Sequence, residues 1–161
     1  MTQEDKQLLL KDLSARLPYG VKVAIEYSKG KYTRIYDLRE IDNDTTSELR
    51  QQVTVWNYGF YSSVISYPLI DCRPYLRPMK DMTEDESAEL SNIISEWFDK
   101  ELFYLTEESF LEYALSKINY SINPRLFDWL NKHHFDYRGL IPKGVALEAP
   151  KGMYKIEEEQ Q

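Results

Sequence analysis

GVKVAIEYSKGKYTRIYDL, residues 20–38, decides the fold. Val21, Val23, Ile25 and Tyr27 alternate with Lys22, Ala24 and Glu26. A period of two puts one set of side chains on a buried sheet face and the other in water. Ser28-Lys29-Gly30 is a turn candidate. Residues 31–38, rich in β-branched and aromatic side chains, read as the return strand. The stretch is therefore an antiparallel hairpin, and its neighbours set the class.

Upstream, residues 4–17 read as a helix, because Leu9, Leu13 and Leu17 recur every four positions before Pro18 and the turn at Tyr19-Gly20. Downstream, residues 42–47 (DNDTTS) form a polar loop. Residues 52–58 and 61–67 form a second strand pair ended by Pro68. The segment DCRPYLRPMKDM, residues 71–82, reads as an extended connector, since proline biases itself and its predecessor away from helix. The chain then turns helical. Thr83 with Glu86 has the form of a capping box, followed by Leu90, Ile93, Ile94, Trp97 and Phe98 at helical spacing. Thr106 caps a second predicted helix, and Asn123-Pro124 starts a third, ending near His133 or His134. Val145 to Leu147 suggests a short strand, and the tail KIEEEQQ a frayed end. Strands followed by helices predict an α+β fold. The expected form is an N-terminal helix, a small antiparallel β-meander or SH3-like barrel, then a helical C-terminal half. One domain over residues 1–161 is expected, with a possible division into a β-rich part, 1–80, and a helical part, 81–161.

Composition narrows the class. Hydrophobic content of 42% with 14% aromatic suits a globular chain. No apolar run approaches the ~20 residues of a membrane helix, and the first residues lack a signal-peptide core. A soluble, cytoplasmic protein is expected. Cys72 is the only cysteine, so no internal disulfide forms. Beside Arg73 it is either an activated thiolate or a small buried residue. The net charge of −7 is concentrated late in the chain, where residues 81–112 hold eleven acids against Lys100 alone. Such a segment repels phosphate backbones and attracts basic surfaces. A protein partner with a basic surface is expected.

Residues 123–154 hold the densest set of polar and aromatic groups. Trp129, His133, His134, Asp136, Tyr137 and Arg138 are the candidate binding residues. His133-His134-x-Asp136 offers imidazole and carboxylate, but adjacent helical residues diverge by about 100°, so no metal site is assigned. The alternative is helix C-capping, with one histidine packed on Trp129 or Phe135 and the other in solvent. Asp136 and Arg138 read as an ion pair that fixes the turn. In the hairpin, Lys29, Lys31, Tyr32, Arg34 and Tyr36 interleave cations with rings, the pattern of single-stranded nucleic-acid binding as well as of an ordinary strand. There is no GxSxG, GxxxxGK[ST] or GxGxxG, so neither catalytic residues nor a cofactor are assigned.

Three phrases carry a resemblance: LLLKDLSARLPYGVKV (8–23), RPYLRPMKDMTEDE (73–86) and DWLNKHHFDYRGLIPKGVALEAPKGMY (128–154). They resemble a family of small uncharacterised proteins from gut bacteria and their phages. The resemblance implies a small intracellular protein of phage or mobile-element type and brings no activity with it. Three functions follow as expectations. The first is a non-enzymatic accessory protein that binds another protein through its acidic helices. The second is a small β-domain for single-stranded nucleic acid. The third is a small-ligand or metal-binding enzyme at the His133-His134 corner.

Overall fold

In the computed structural model, which describes residues 1–28, 31–43, 51–57, 63–95 and 124–154, Thr2 starts the first helix. Its hydroxyl accepts from the Asp5 amide at 3.1 Å while its own amide donates to the Asp5 carboxylate at 3.0 Å, closing a capping box. Helix α1 (Gln3–Arg16) buries Leu9 and Leu13, as their spacing predicts. A single 3₁₀ turn over Leu17–Tyr19 follows, and Gly20 reverses the chain with φ of 70°.

The strands are β1 (Lys22–Ser28), β2 (Lys31–Asn43), β3 (Gln51–Asn57), β4 (Ser63–Pro68), β5 (Cys72–Leu76) and β6 (Leu147–Glu148). They form one mixed sheet in the order β4-β3-β2-β1-β5-β6, with only β5 and β6 parallel. Val23 and Ile25 are buried as expected. Ala24 is buried too, lying between Ile35 of β2 and Arg73 of β5. Tyr27, expected on the buried face, is 65% exposed. Register shifts around Glu26 break the alternation before the strand ends.

The segment 71–82 is more than a connector. It contains β5, whose Cys72, Pro74 and Leu76 point inward and whose Pro74 lies opposite Val23. Proline lacks the ladder N–H, which argues against a strand by rule. Among the described residues the far side of β5 pairs with the two residues of β6 alone, so few ladder bonds are at stake.

Thr83 does cap α2 (Glu84–Ser95): the Glu86 amide donates to Thr83 Oγ1 at 3.2 Å, and the Thr83 amide donates to Glu86 Oε2 at 2.8 Å. Helix α3 (Pro124–Lys132) begins with its proline, where a missing N–H costs nothing. The predicted helix after Thr106 and the apolar positions Trp97 and Phe98 lie outside the described residues, as do Lys29, Gly30 and the tail. The fold is α+β.

Among the described residues two apolar clusters result. One packs Leu9 and Leu13 of α1 against Val23, Ile25, Tyr36, Leu38, Val53, Val55 and Leu76 of the sheet. The other joins Leu90, Ile93 and Ile94 of α2 to Leu126, Phe127, Trp129 and Leu130 of α3, with Phe135. Each large apolar side chain buried this way stabilises by about 1.5–3 kcal/mol.

Candidate functional site

Helix α3 ends in a left-handed residue that is not glycine. His134 has φ of 58°. Its amide donates to Asn131 O at 3.1 Å, and the Phe135 amide donates back to Leu130 O at 3.1 Å. These two bonds are a Schellman cap, and Phe135 supplies its apolar contact by stacking on Trp129, centroids 5.8 Å apart. A histidine in this conformation is strained where glycine would not be. Its ring gives something in return, stacking on Tyr154 at 3.7 Å and 20°.

The cap separates the two imidazoles. His133 stacks on Trp129 at 4.0 Å, as the capping alternative anticipates. The other histidine was expected in solvent, but His134 is 4% exposed because Tyr154 covers it. Burial, then the charge of Arg16, brings the His134 imidazole down to about 3, while a hydrogen bond with the Tyr19 backbone opposes this. Burial also lowers His133, against the pull of Glu86.

Asp136 and Arg138 do not pair with each other. Asp136 accepts from the amides of Leu140 and Ile141, both at 2.8 Å, and so shapes the turn alone. Arg138 reaches Asp12 of α1 at 2.7 Å. Asp12 also accepts from Arg16 Nε at 2.8 Å and Nη2 at 3.0 Å, and Arg16 Nη2 donates to Phe135 O at 2.7 Å. Asp12 and Arg16 are both fully buried. Tyr137 donates to Asn131 Oδ1 at 3.0 Å and lies beneath the Arg138 guanidinium at 4.4 Å; burial raises its pKa. The six candidate residues thus divide among a Trp129–His133 stack, a His134–Tyr154 stack, an Asp136 turn and a Tyr137–Arg138 link to α1.

Beside His133 lies a cleft of about 1080 Å³ between the start of α2 and the segment 148–154. Arg77 crosses its base, giving two bonds to Glu86 at 2.6 and 2.8 Å, with its guanidinium 4.3 Å above the Phe135 ring. Burial raises the Glu86 carboxyl, but hydrogen bonds from Arg77 and Thr83 outweigh it and hold it at about 2. The cleft is lined by the carboxylates of Asp81, Asp85, Glu86, Glu89 and Glu148 against Arg77 and Lys151. His133 Nδ1 is 3.5 Å from Glu86 Oε1. Sequence reading missed Arg77, Glu148 and Tyr154, which meet here through the β5–β6 pairing, the bond from the Ala149 amide to Leu76 O at 2.8 Å and the hydroxyl bonds of Tyr154. Among the described residues, no group of three or more His, Cys, Asp or Glu is placed to hold a metal ion. None of the described helices is long and apolar enough to cross a membrane.

Of the hairpin candidates, Lys31 is exposed at the start of β2. Tyr36 is 7% exposed and packs in the sheet core, 6.2 Å from Tyr67, so its ring offers no stacking surface. Lys29 and the side chains of Tyr32 and Arg34 lie outside the description. Cys72 is fully buried in β5, and burial pushes its thiol up to about 12, well above what neighbouring Arg73 offsets.

The chain matches no protein-family model, no curated protein and no solved structure.

Proposed function

We propose that this chain is a non-enzymatic accessory protein of phage or mobile-element type that binds a basic protein partner in the cytoplasm. The contact surface is the acidic start of α2 and the cleft beside it. One observation carries the reading: five carboxylates against two cations line a concavity of about 1080 Å³. Negative charge gathered in a cleft raises the local concentration of cationic partners and speeds their encounter. The alternative site at the histidine corner is weakened by its internal commitments, since Asp136, Arg138 and His134 each serve a partner within the fold. The finer fold reading that accompanies this proposal is a β1–β4 meander ahead of a helical second half. Successive antiparallel pairing supports it.

The test is affinity capture from host lysate, comparing the natural chain with Glu84→Lys/Asp85→Lys/Glu89→Lys. Glu86 is left intact because it caps α2 and pairs with Arg77. Basic proteins retained by the natural chain, released by salt and absent from the variant are expected. An identical captured set from both would refute the reading.

A further inference from the structure

We propose that residues 147–154 are a strap closed over the histidine corner, and that acid releases it by charging His134 beneath Tyr154. The strap is lightly held. Besides the two-residue β6, the Ala149 amide ties it to Leu76 O at 2.8 Å. The Tyr154 hydroxyl adds two bonds, accepting from the Lys22 amide at 3.0 Å and donating to Tyr75 O at 2.8 Å. None of the side chains from Leu147 to Tyr154 is fully buried, and Glu148, Pro150 and Lys151 are exposed. Segments with so little buried apolar surface open at lower free energy than a core does. The corner beneath is anchored instead, since Trp129, Leu130 and Phe135 all belong to the second apolar cluster. A disturbance between the two therefore moves the strap first.

His134 lies between them. Its backbone sits at φ of 58° in the cap, and its ring stacks on Tyr154 at 3.7 Å, which leaves it 4% exposed. The ring bonds the Tyr19 backbone, while Nδ1 has no hydrogen-bond partner among the described residues. A neutral imidazole suits this arrangement, because it has one N–H to give. A protonated ring has two, and the second would be buried without an acceptor. The charged neighbours oppose a proton as well. Arg16 of α1 acts on the ring, as do His133 beside it and Arg77 after β5. The carboxylates that act on Tyr154 are Asp37 and Asp12. Asp37 pairs with Lys22 at 2.7 Å, and Asp12 is held by Arg16 and Arg138, so both already serve cations. The Tyr154 face attracts a cation weakly beside what hydration returns to it. Water reaches the ring once the phenol swings away. The strap is also the far wall of the acidic cleft, so its release dismantles the cleft while sheet and helices stay folded.

The test is native-state amide exchange of the whole chain by NMR, from about pH 7 to about pH 4.5, corrected for the intrinsic pH dependence of exchange. Ala149, bonded to Leu76 O, reports the strap, and Leu38, bonded to Val21 O, reports the sheet. With the covered ring at about 3 and the open ring at 6.5, each pH unit below 6.5 favours the open strap about tenfold. Ala149 protection should therefore fall roughly hundredfold over the range. At the acid end it should lie below that of Leu38 and be unmoved by low urea, which erodes Leu38. His134→Asn should leave Ala149 protection flat with pH. His134→Gly, which suits the left-handed backbone best, should do the same. Equal protection and equal urea dependence at Ala149 and Leu38 would mean that the strap opens only with the whole fold, and would overturn the proposal. So would constant Ala149 protection across the range, or a fall that persists in either variant.

Discussion

Asp12→Ala should destabilise this protein more than any single surface change. Asp12 and Arg16 are both 0% exposed, and the Asp12 carboxylate accepts three bonds, two from Arg16 and one from Arg138. Removing it leaves the Arg16 guanidinium buried with Phe135 O as its remaining acceptor, and Arg16 Nη1 already has no partner among the described residues. Stranding one member of a buried ion pair costs about 3–5 kcal/mol. Domains of this kind are stable by about 5–15 kcal/mol in total. At about 2–4 °C per kcal/mol for this size, the melting temperature should fall by roughly 6–20 °C. Asp12→Asn keeps one acceptor oxygen and should cost less, on the order of 1.5–3 kcal/mol. Asp12→Ala/Arg16→Met removes the stranded charge with its partner, and should recover much of the loss. Urea unfolding followed by circular dichroism measures all three. A loss below about 1 kcal/mol for Asp12→Ala, or a double variant no better than the single one, would refute the reasoning.

Three further outcomes are expected. Acid should unfold the protein early, because His134 sits at about 3 in the folded state against 6.5 in the open chain. Its contribution is complete above pH 6.5 and is lost as pH falls toward 3, with His133 adding in the same direction. His134→Asn, which tolerates the left-handed backbone and does not titrate, should flatten urea midpoints measured from neutral pH down to about 4.5. Cys72 should resist iodoacetamide in the folded protein and react only as urea unfolds it, since its thiol is buried and pushed up to about 12; rapid native labelling would contradict this. Tyr154→Phe keeps the ring on His134 but deletes both hydroxyl bonds, to Lys22 N and Tyr75 O, and should cost about 1–3 kcal/mol with faster amide exchange at Lys22.

Much of the fold was legible because its causes are local. Leucines four apart mark α1, β1 and β2 read as a hairpin, and Thr83 with Glu86 announces α2 three residues at a stretch. What escaped depends on distant partners. Residues 71–82 read as an extended connector because their prolines disfavour helix, and only the fold reveals that this extended run pairs with β1 and carries a β6 of two residues on its far side. Asp136 and Arg138 looked like a pair because they are two apart, yet Arg138 chooses Asp12, 126 positions away. His134 could be placed at the helix end, but not in a left-handed turn, since glycine is the usual signal there and the compensating ring of Tyr154 lies twenty positions on. The acidic run was visible in the sequence. The cleft was not, because its far wall comes from a segment that parallel pairing brings alongside β5.

Tyr154 has one more implication. Val23 faces Pro74 across β1 and β5, so Lys22 and Tyr75 would form the next rung. There the phenol stands in for the missing rung, accepting from one strand at 3.0 Å and donating to the other at 2.8 Å. The outer wall of the acidic hollow is thus bolted to the middle of the sheet rather than hung from a loop. A visitor would find the cavity already shaped, would spend little entropy rigidifying it, and could be held by modest contacts alone.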